Sequence, residues 1–230
     1  MIAERITQVQ AQIDAACARV GRDPQSVTLI AVSKRKPVED ILAASAAGIQ
    51  HFGENRVEEM QEKQPHLAVK TPATWHMIGH VQSRKARYIP DLFNVVHSID
   101  SLKLAVKLDS PSLRGLIQVN VSGEETKSGL EASGWENNSA LRTSVFEEIR
   151  QIASLPNLKI IGLMTMAPIV DEMEQARPVF QNLARLRDAL TETLKIDLPE
   201  LSMGMTDDYP VAIEEGATMI RVGRAIFGER

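Results

Sequence analysis

One cysteine, Cys17, stands in 230 residues. An internal disulfide is therefore impossible, which suits a reducing compartment. Cys17 lies in a periodic opening segment and reads as a small core residue. Basic charge is also scarce, with 26 Lys and Arg against 30 Asp and Glu and a net charge of −4. That balance carries no electrostatic footprint for nucleic acid, and Lys34-Arg35-Lys36 is too short to form a binding stripe. No apolar run approaches the roughly 20 residues of a membrane span, and no charged-then-apolar leader opens the sequence. The expectation is a soluble cytoplasmic protein that engages neither nucleic acid nor membrane. The five histidines (His51, His66, His76, His80 and His97) show no ligand spacing and no accompanying Cys pair, so no metal site is expected. No stretch of Pro, Gly or Ser separates two halves, and residues 1–230 read as one domain.

What the sequence does contain is a rhythm. After a helix over about residues 3–20, apolar runs of strand length recur at residues 27–33, 51–53, 74–79, 93–99, 115–121, 159–165, 201–205 and 219–223. Most are continuously hydrophobic, as parallel strands buried on both faces should be. Helical patterns fall between them, among them residues 38–47, 55–64 and the long, strongly periodic 173–194. Strands alternating with helices predict parallel β/α units. The count favours a single (β/α)8 TIM barrel with an extra N-terminal helix over an open doubly wound sheet, and the length agrees. Residues 122–139, rich in Ser, Gly, Glu and Asn, follow the fifth strand. They read equally as a loop over the barrel mouth or as an ordinary surface insertion.

In this architecture chemistry sits at the C-terminal ends of the strands. The last two strands, Leu201-Ser-Met-Gly-Met-Thr and Met219-Ile-Arg-Val-Gly-Arg, each end in a glycine-containing turn. Backbone N–H groups there, at Gly204 and Gly223, together with the Thr206 hydroxyl, make a place to hold a phosphate. Lys34 closes the first strand. In a partly desolvated pocket its amine would become nucleophilic; the alternative is that it snorkels to solvent. A lysine facing a phosphate site fits a ligand bearing both an aldehyde and a phosphate, such as pyridoxal 5′-phosphate. Arg221 lies two residues before Gly223, on the same face, and could approach a pyridine nitrogen. An internal ion pair with Glu54 or Asp100 is the other reading. Asp207 and Asp208 are explained by helix capping alone.

The chain resembles the pyridoxal phosphate homeostasis proteins, stand-alone relatives of the alanine racemase N-terminal barrel. The resemblance is carried by Ala31-Val-Ser-Lys34, Phe52-Gly-Glu-Asn55, Trp75-His-Met-Ile-Gly79, Gln118-Val-Asn120 and Lys127-Ser-Gly129. It continues through Gly162-Leu-Met-Thr-Met-Ala-Pro168, Leu201-Ser-Met-Gly-Met-Thr-Asp-Asp208 and Arg221-Val-Gly223. It implies a monomeric barrel that binds pyridoxal 5′-phosphate as an imine on Lys34. It also implies a phosphate around Ser202, Thr206, Gly223 and Arg224, with Asn55 and Arg221 near the ring. The implied role is buffering or carrying the cofactor and, through it, amino-acid pools, with transient contact with apo-enzymes that use it. Arg84 and Arg224 depart from the family pattern, and residues 133–143 match no motif of it. Two rivals are an amino-acid racemase and a Schiff-base aldolase. Racemases of this kind take a second acid–base group, a tyrosine, from a further β-domain. Here the tyrosines are Tyr88 and Tyr209, and Pro210 is expected to turn Tyr209 outward.

Overall fold

The computed structural model describes residues 1–67, 72–124 and 127–229. Residues 125 and 126, inside the expected mouth loop, lie outside that description. In chain order the first half runs α1 (Ile2–Arg19), β1 (Thr28–Val32), α2 (Val38–Ala46), β2 (His51–Glu54), α3 (Val57–Leu67), β3 (Thr74–Met77), α4 (Ile89–Leu92), β4 (Val95–Ile99), α5 (Leu102–Lys107) and β5 (Arg114–Asn120). The second half runs β6 (Leu130–Glu131), α6 (Ser139–Ala153), β7 (Lys159–Met164), α7 (Arg177–Leu194), β8 (Glu200–Met205), α8 (Tyr209–Glu214), β9 (Met219–Val222) and α9 (Arg224–Phe227).

Every pairing is parallel, and the ring β1-β2-β3-β4-β5-β7-β8-β9 closes on itself through β4–β5 and β9–β1. This is the eight-stranded barrel, preceded by α1. All eight expected strands form. β6 is additional: two residues within the 122–139 segment that pair with β5 outside the ring. The third strand stops at Met77 rather than residue 79, and α3 begins at Val57 rather than residue 55. The two shortened ends meet each other. A Cβ on Gly79 would lie 2.3 Å from the Asn55 carbonyl oxygen, so the loops after β2 and β3 touch there. Only glycine permits that approach.

Two apolar cores result. Ile30, Val95, Leu116, Ile161, Met164 and Met219, from five strands around the ring, pack together inside the barrel. The larger core lies between the ring and the helices. On α7 the residues Phe180, Leu183, Leu186 and Leu190 recur at helical spacing and are fully buried. Each such side chain contributes about 1.5–3 kcal/mol of burial. The 133–143 segment is packed rather than loose. Trp135 is buried beside Phe146, and its Nε1–H donates to Asn182 Oδ1 of α7 at 2.8 Å.

Candidate functional site

Ile30 belongs to the inner core, so strand alternation carries Lys34, four residues on, toward the same interior face. The β1–β9 register, with Ala31 opposite Val222, raises Lys34 to the level at which α9 begins. Lys34 is half-buried there. Its neighbour Ser33 points the other way, between strand and helix, and donates to Glu54 Oε1 at 2.7 Å. Lys63 of α3 reaches the same oxygen at 2.7 Å, Glu59 Oε1 at 2.7 Å and the Ser33 carbonyl at 3.0 Å. This buried ionic knot anchors the strand end that presents Lys34.

The loops after β8 and β9 meet where a phosphate site is expected. The Gly223 N–H points at Thr206 Oγ1 at 3.4 Å, and Arg224 is ion-paired with Asp207. Gly204 has φ +92°, and a Cβ there would come 2.6 Å from Ala212 Cβ and 2.9 Å from Tyr209 Cα. The turn that aims Thr206 therefore requires glycine. Asp208 is buried and accepts the Met205 N–H on Oδ1 at 2.6 Å; it stands at the N-cap position of α8 but bonds back into the turn instead of capping the helix with its side chain, and burial pushes its pKa up. α8 and α9 are short, so the donors of this cup are local N–H groups and a hydroxyl rather than a large helix dipole.

Arg221 is 5% exposed and makes neither of the anticipated ion pairs. Glu54 is engaged by Ser33 and Lys63, and Asp100 faces His80 at 3.3 Å. Arg221 donates instead to Ser202 Oγ at 2.5 Å and to the Thr165 carbonyl at 3.0 Å. Burial lowers its pKa to about 10, with the Asp208 carboxylate acting against that shift.

Ser202 is among the residues expected around the phosphate. It is fully buried, and its hydroxyl is committed to Arg221 and to His97 Nδ1 at 2.8 Å. Asn55 is half-buried just beyond the C-terminal end of β2. Lys36, the neighbouring lysine, donates to the Phe227, Gly228 and Glu229 carbonyls at 3.2, 3.2 and 3.1 Å, closing the end of α9. Sequence reasoning assigned no role to Thr165, His76 or His97. The signal was available: both histidines sit mid-strand in parallel, buried strands, where a polar residue needs a partner.

Among the described residues no group of three or more His, Cys, Asp or Glu could hold a metal, and no helix is long and apolar enough to cross a membrane.

The alanine racemase N-terminal domain family matches residues 6–230. The pyridoxal phosphate homeostasis protein of Pseudomonas aeruginosa is 44% identical over 235 residues, covering 100% of this chain and 96% of that protein. Its counterpart in Aquifex aeolicus is 40% identical over 233 residues, covering 99% and 97%. The solved structure of PipY from Synechococcus elongatus, with PLP bound, superposes with a TM-score of 0.82 at 35% identity, covering 99% of this chain and 100% of that one. A full-length barrel at these identities decides the matter: the chain belongs to the alanine racemase N-terminal domain family and, within it, to the pyridoxal phosphate homeostasis proteins.

Proposed function

We propose that this protein binds pyridoxal 5′-phosphate at the barrel mouth and holds it as a reserve, as a single-domain cytoplasmic monomer without a substrate of its own. The observation that carries this reading is the placement of three unlike groups at the C-terminal ends of neighbouring strands. Lys34 ends β1, the Thr206–Gly223 cup spans the loops after β8 and β9, and Arg221 stands on β9 between them. The donor set fits the cofactor, which when bound supplies an aldehyde for an amine and a pyridine ring that can withdraw electrons. Lys34 supplies the amine. Thr206 Oγ1 and the Gly223 and Arg224 N–H groups receive the phosphate, and Asn55 flanks the ring. Arg221 stays protonated and donates toward the ring nitrogen, which keeps that nitrogen unprotonated and the ring a weak electron sink. A site with those properties retains the cofactor better than it uses it. The pyridoxal phosphate homeostasis homologues and the PLP-bound PipY structure support the reading. Release to apo-enzymes through transient contact completes the proposed role.

The test is titration of the apoprotein with pyridoxal 5′-phosphate, followed by visible absorbance. A new imine band is expected, and Lys34→Ala should abolish it while leaving the far-ultraviolet circular dichroism unchanged. A band that survives in Lys34→Ala moves the attachment to another lysine, with Lys127 the first to examine. No band in the wild-type protein at millimolar cofactor refutes the reading.

A further inference from the structure

Beneath the mouth, three histidines from consecutive strands stand in series. His51 Nδ1 lies 3.0 Å from His76 Nε2, His76 Nδ1 lies 2.8 Å from His97 Nε2, and His97 Nδ1 lies 2.8 Å from Ser202 Oγ. The rings pack with centroids 5.3 and 5.0 Å apart. His76 and His97 are 1% and 0% exposed, and Ser202 ends the row against Arg221. The other end opens elsewhere. His51 is half-buried and lines a cavity of about 480 Å3 with Gln10, Gln50 and the first residues of β1, on the barrel face opposite the mouth.

Proton counting orients the chain. Arginine only donates, so Ser202 Oγ accepts from Arg221. The Ser202 hydrogen is then used only if it goes to His97 Nδ1. His97 in turn donates from Nε2 to His76 Nδ1, and His76 from Nε2 to His51 Nδ1. In this arrangement every buried imidazole is neutral, is protonated on Nε2 and has both nitrogens satisfied. The negative end of each ring dipole also points toward the Arg221 cation, whose direct hydrogen-bond partners are otherwise neutral.

We propose that His51, His76 and His97 are positioning residues, a buried chain locked in one tautomeric sense that aims the Arg221 guanidinium through Ser202 and links it to solvent at the opposite face of the barrel. The inference deepens the cofactor reading above and rests on it for the ligand. A proton added to the chain comes to rest on His51, the member at the cavity. His51 then donates from Nδ1, and His76 and His97 each carry their single proton on Nδ1 instead of Nε2. His97 now donates to Ser202, whose own hydrogen loses its partner, and the positive ends of the rings turn toward Arg221. Acid therefore loosens Arg221 and the cofactor with it. The charged and titratable groups around the chain are Arg114 and Glu200 at His51, Arg221 at His97, and Asp208 beyond Arg221. Burial keeps all three imidazoles below the usual histidine pKa, in agreement with a neutral chain at rest.

Two measurements test this. In the unloaded protein, nitrogen-15 spectra of the imidazoles, assigned with His51→Gln, His76→Gln and His97→Gln, should show three neutral Nε2–H rings at pH 7. Any of the three found as the Nδ1–H form overturns the lock. In cofactor titrations, His97→Gln should weaken binding by about ten-fold, the effect of one lost hydrogen bond on an ionised partner. His51→Gln should flatten the loss of affinity that the wild-type protein shows on acidification. Wild-type affinity and pH profile in both variants overturn the proposal; if His97→Gln does not fold, the His51→Gln profile decides. Absence of cofactor binding in the wild-type protein sinks the cofactor reading instead, and the nitrogen spectra still decide the lock.

Discussion

Asp207 and Arg224, from the loops after β8 and β9, form an ion pair across the gap that those loops share. The pair occupies the Arg224 guanidinium, and both residues are exposed. Arg224 can therefore serve a phosphate through its backbone N–H while its side chain ties the two loops together. An exposed pair of this kind is worth about 0–1 kcal/mol. Arg224→Ala is accordingly expected to change the dissociation constant for pyridoxal 5′-phosphate by less than about five-fold. Thr206→Ala removes a hydroxyl proposed to face the phosphate and should cost about 1.5–3 kcal/mol, or roughly ten- to a hundred-fold in affinity. Titration of the two apoproteins side by side checks the order. A larger loss for Arg224→Ala would mean that its guanidinium leaves Asp207 for the ligand.

Lys63 is the cation of the knot that anchors Lys34's strand. Glu54 is fully buried, its pKa raised by that burial against the opposing pull of Lys63, and its Oε2 has no hydrogen-bond partner. Lys63→Met leaves this carboxyl uncompensated and should destabilise the protein by about 3–5 kcal/mol at pH 7. The folded variant then holds a proton on Glu54 that the unfolded chain has released. Its stability should fall by about 1.4 kcal/mol per pH unit above the unfolded carboxylate pKa, until the folded pKa is passed. Adding Glu54→Gln should recover most of the loss. Urea unfolding of single and double variants between pH 5 and 8 measures it, and a pH-independent loss in the single variant would contradict the argument.

The buried histidines set the acid limit of the fold. Burial lowers the pKa of His76 from 6.5 to about 3, and His97 is also held well below its usual value. The folded pKa is depressed, so below pH 6.5 the unfolded chain binds protons that the native protein refuses. The stabilisation is complete above that pH and is lost as pH falls toward 3. Each such histidine costs about 1.4 kcal/mol per unit in this window, so acidification from pH 7 to 5 should remove about 4 kcal/mol through the pair. Chemical denaturation across that range is the measurement. In the His76→Gln/His97→Gln protein the slope should flatten, whatever its absolute stability.

The barrel was legible because parallel strands buried on both faces leave continuous apolar runs, and those at β1, β4, β5, β7, β8 and β9 are plain. β6 was not, since two residues carry no periodicity and pair only after the 122–139 segment folds back on β5. Gly129 makes that return possible, because a Cβ there would strike the Gln118 carbonyl at 2.8 Å. Lys34, Asn55, Thr206, Arg221 and Gly223 could be nominated as candidates because strand ends are identifiable one strand at a time. Ser202 was placed with the phosphate by the family resemblance alone, and its hydroxyl is taken up by Arg221 and His97. The histidine chain needed the registers of β2, β3, β4 and β8 together, and no local pattern contains those.

Racemisation is the activity that the fold most readily suggests, and it is expected to be absent. Exchange through a planar carbanion needs a proton removed on one face of the substrate carbon and returned on the other, hence two positioned acid–base groups. Lys34 can serve one face. Tyr209 cannot serve the other: it is 1% exposed, donates to Gln12 Oε1 of α1 at 2.5 Å on the outside of the ring, and has its pKa pushed up to about 12 by burial. Tyr88 lies at the surface, where its hydroxyl accepts from Arg87 at 2.6 Å. In the proposed site Arg221, held by Ser202 and Thr165, would keep the ring nitrogen unprotonated and so disfavour carbanion stabilisation. Deuterium exchange at Cα of L-alanine by the cofactor-loaded protein, read beside chiral product analysis, should show neither exchange nor D-alanine at a useful rate. Turnover of about 1 s⁻¹ or more, the low end of ordinary enzymes, would mean that a second acid–base group reaches the mouth and that the reserve role is wrong.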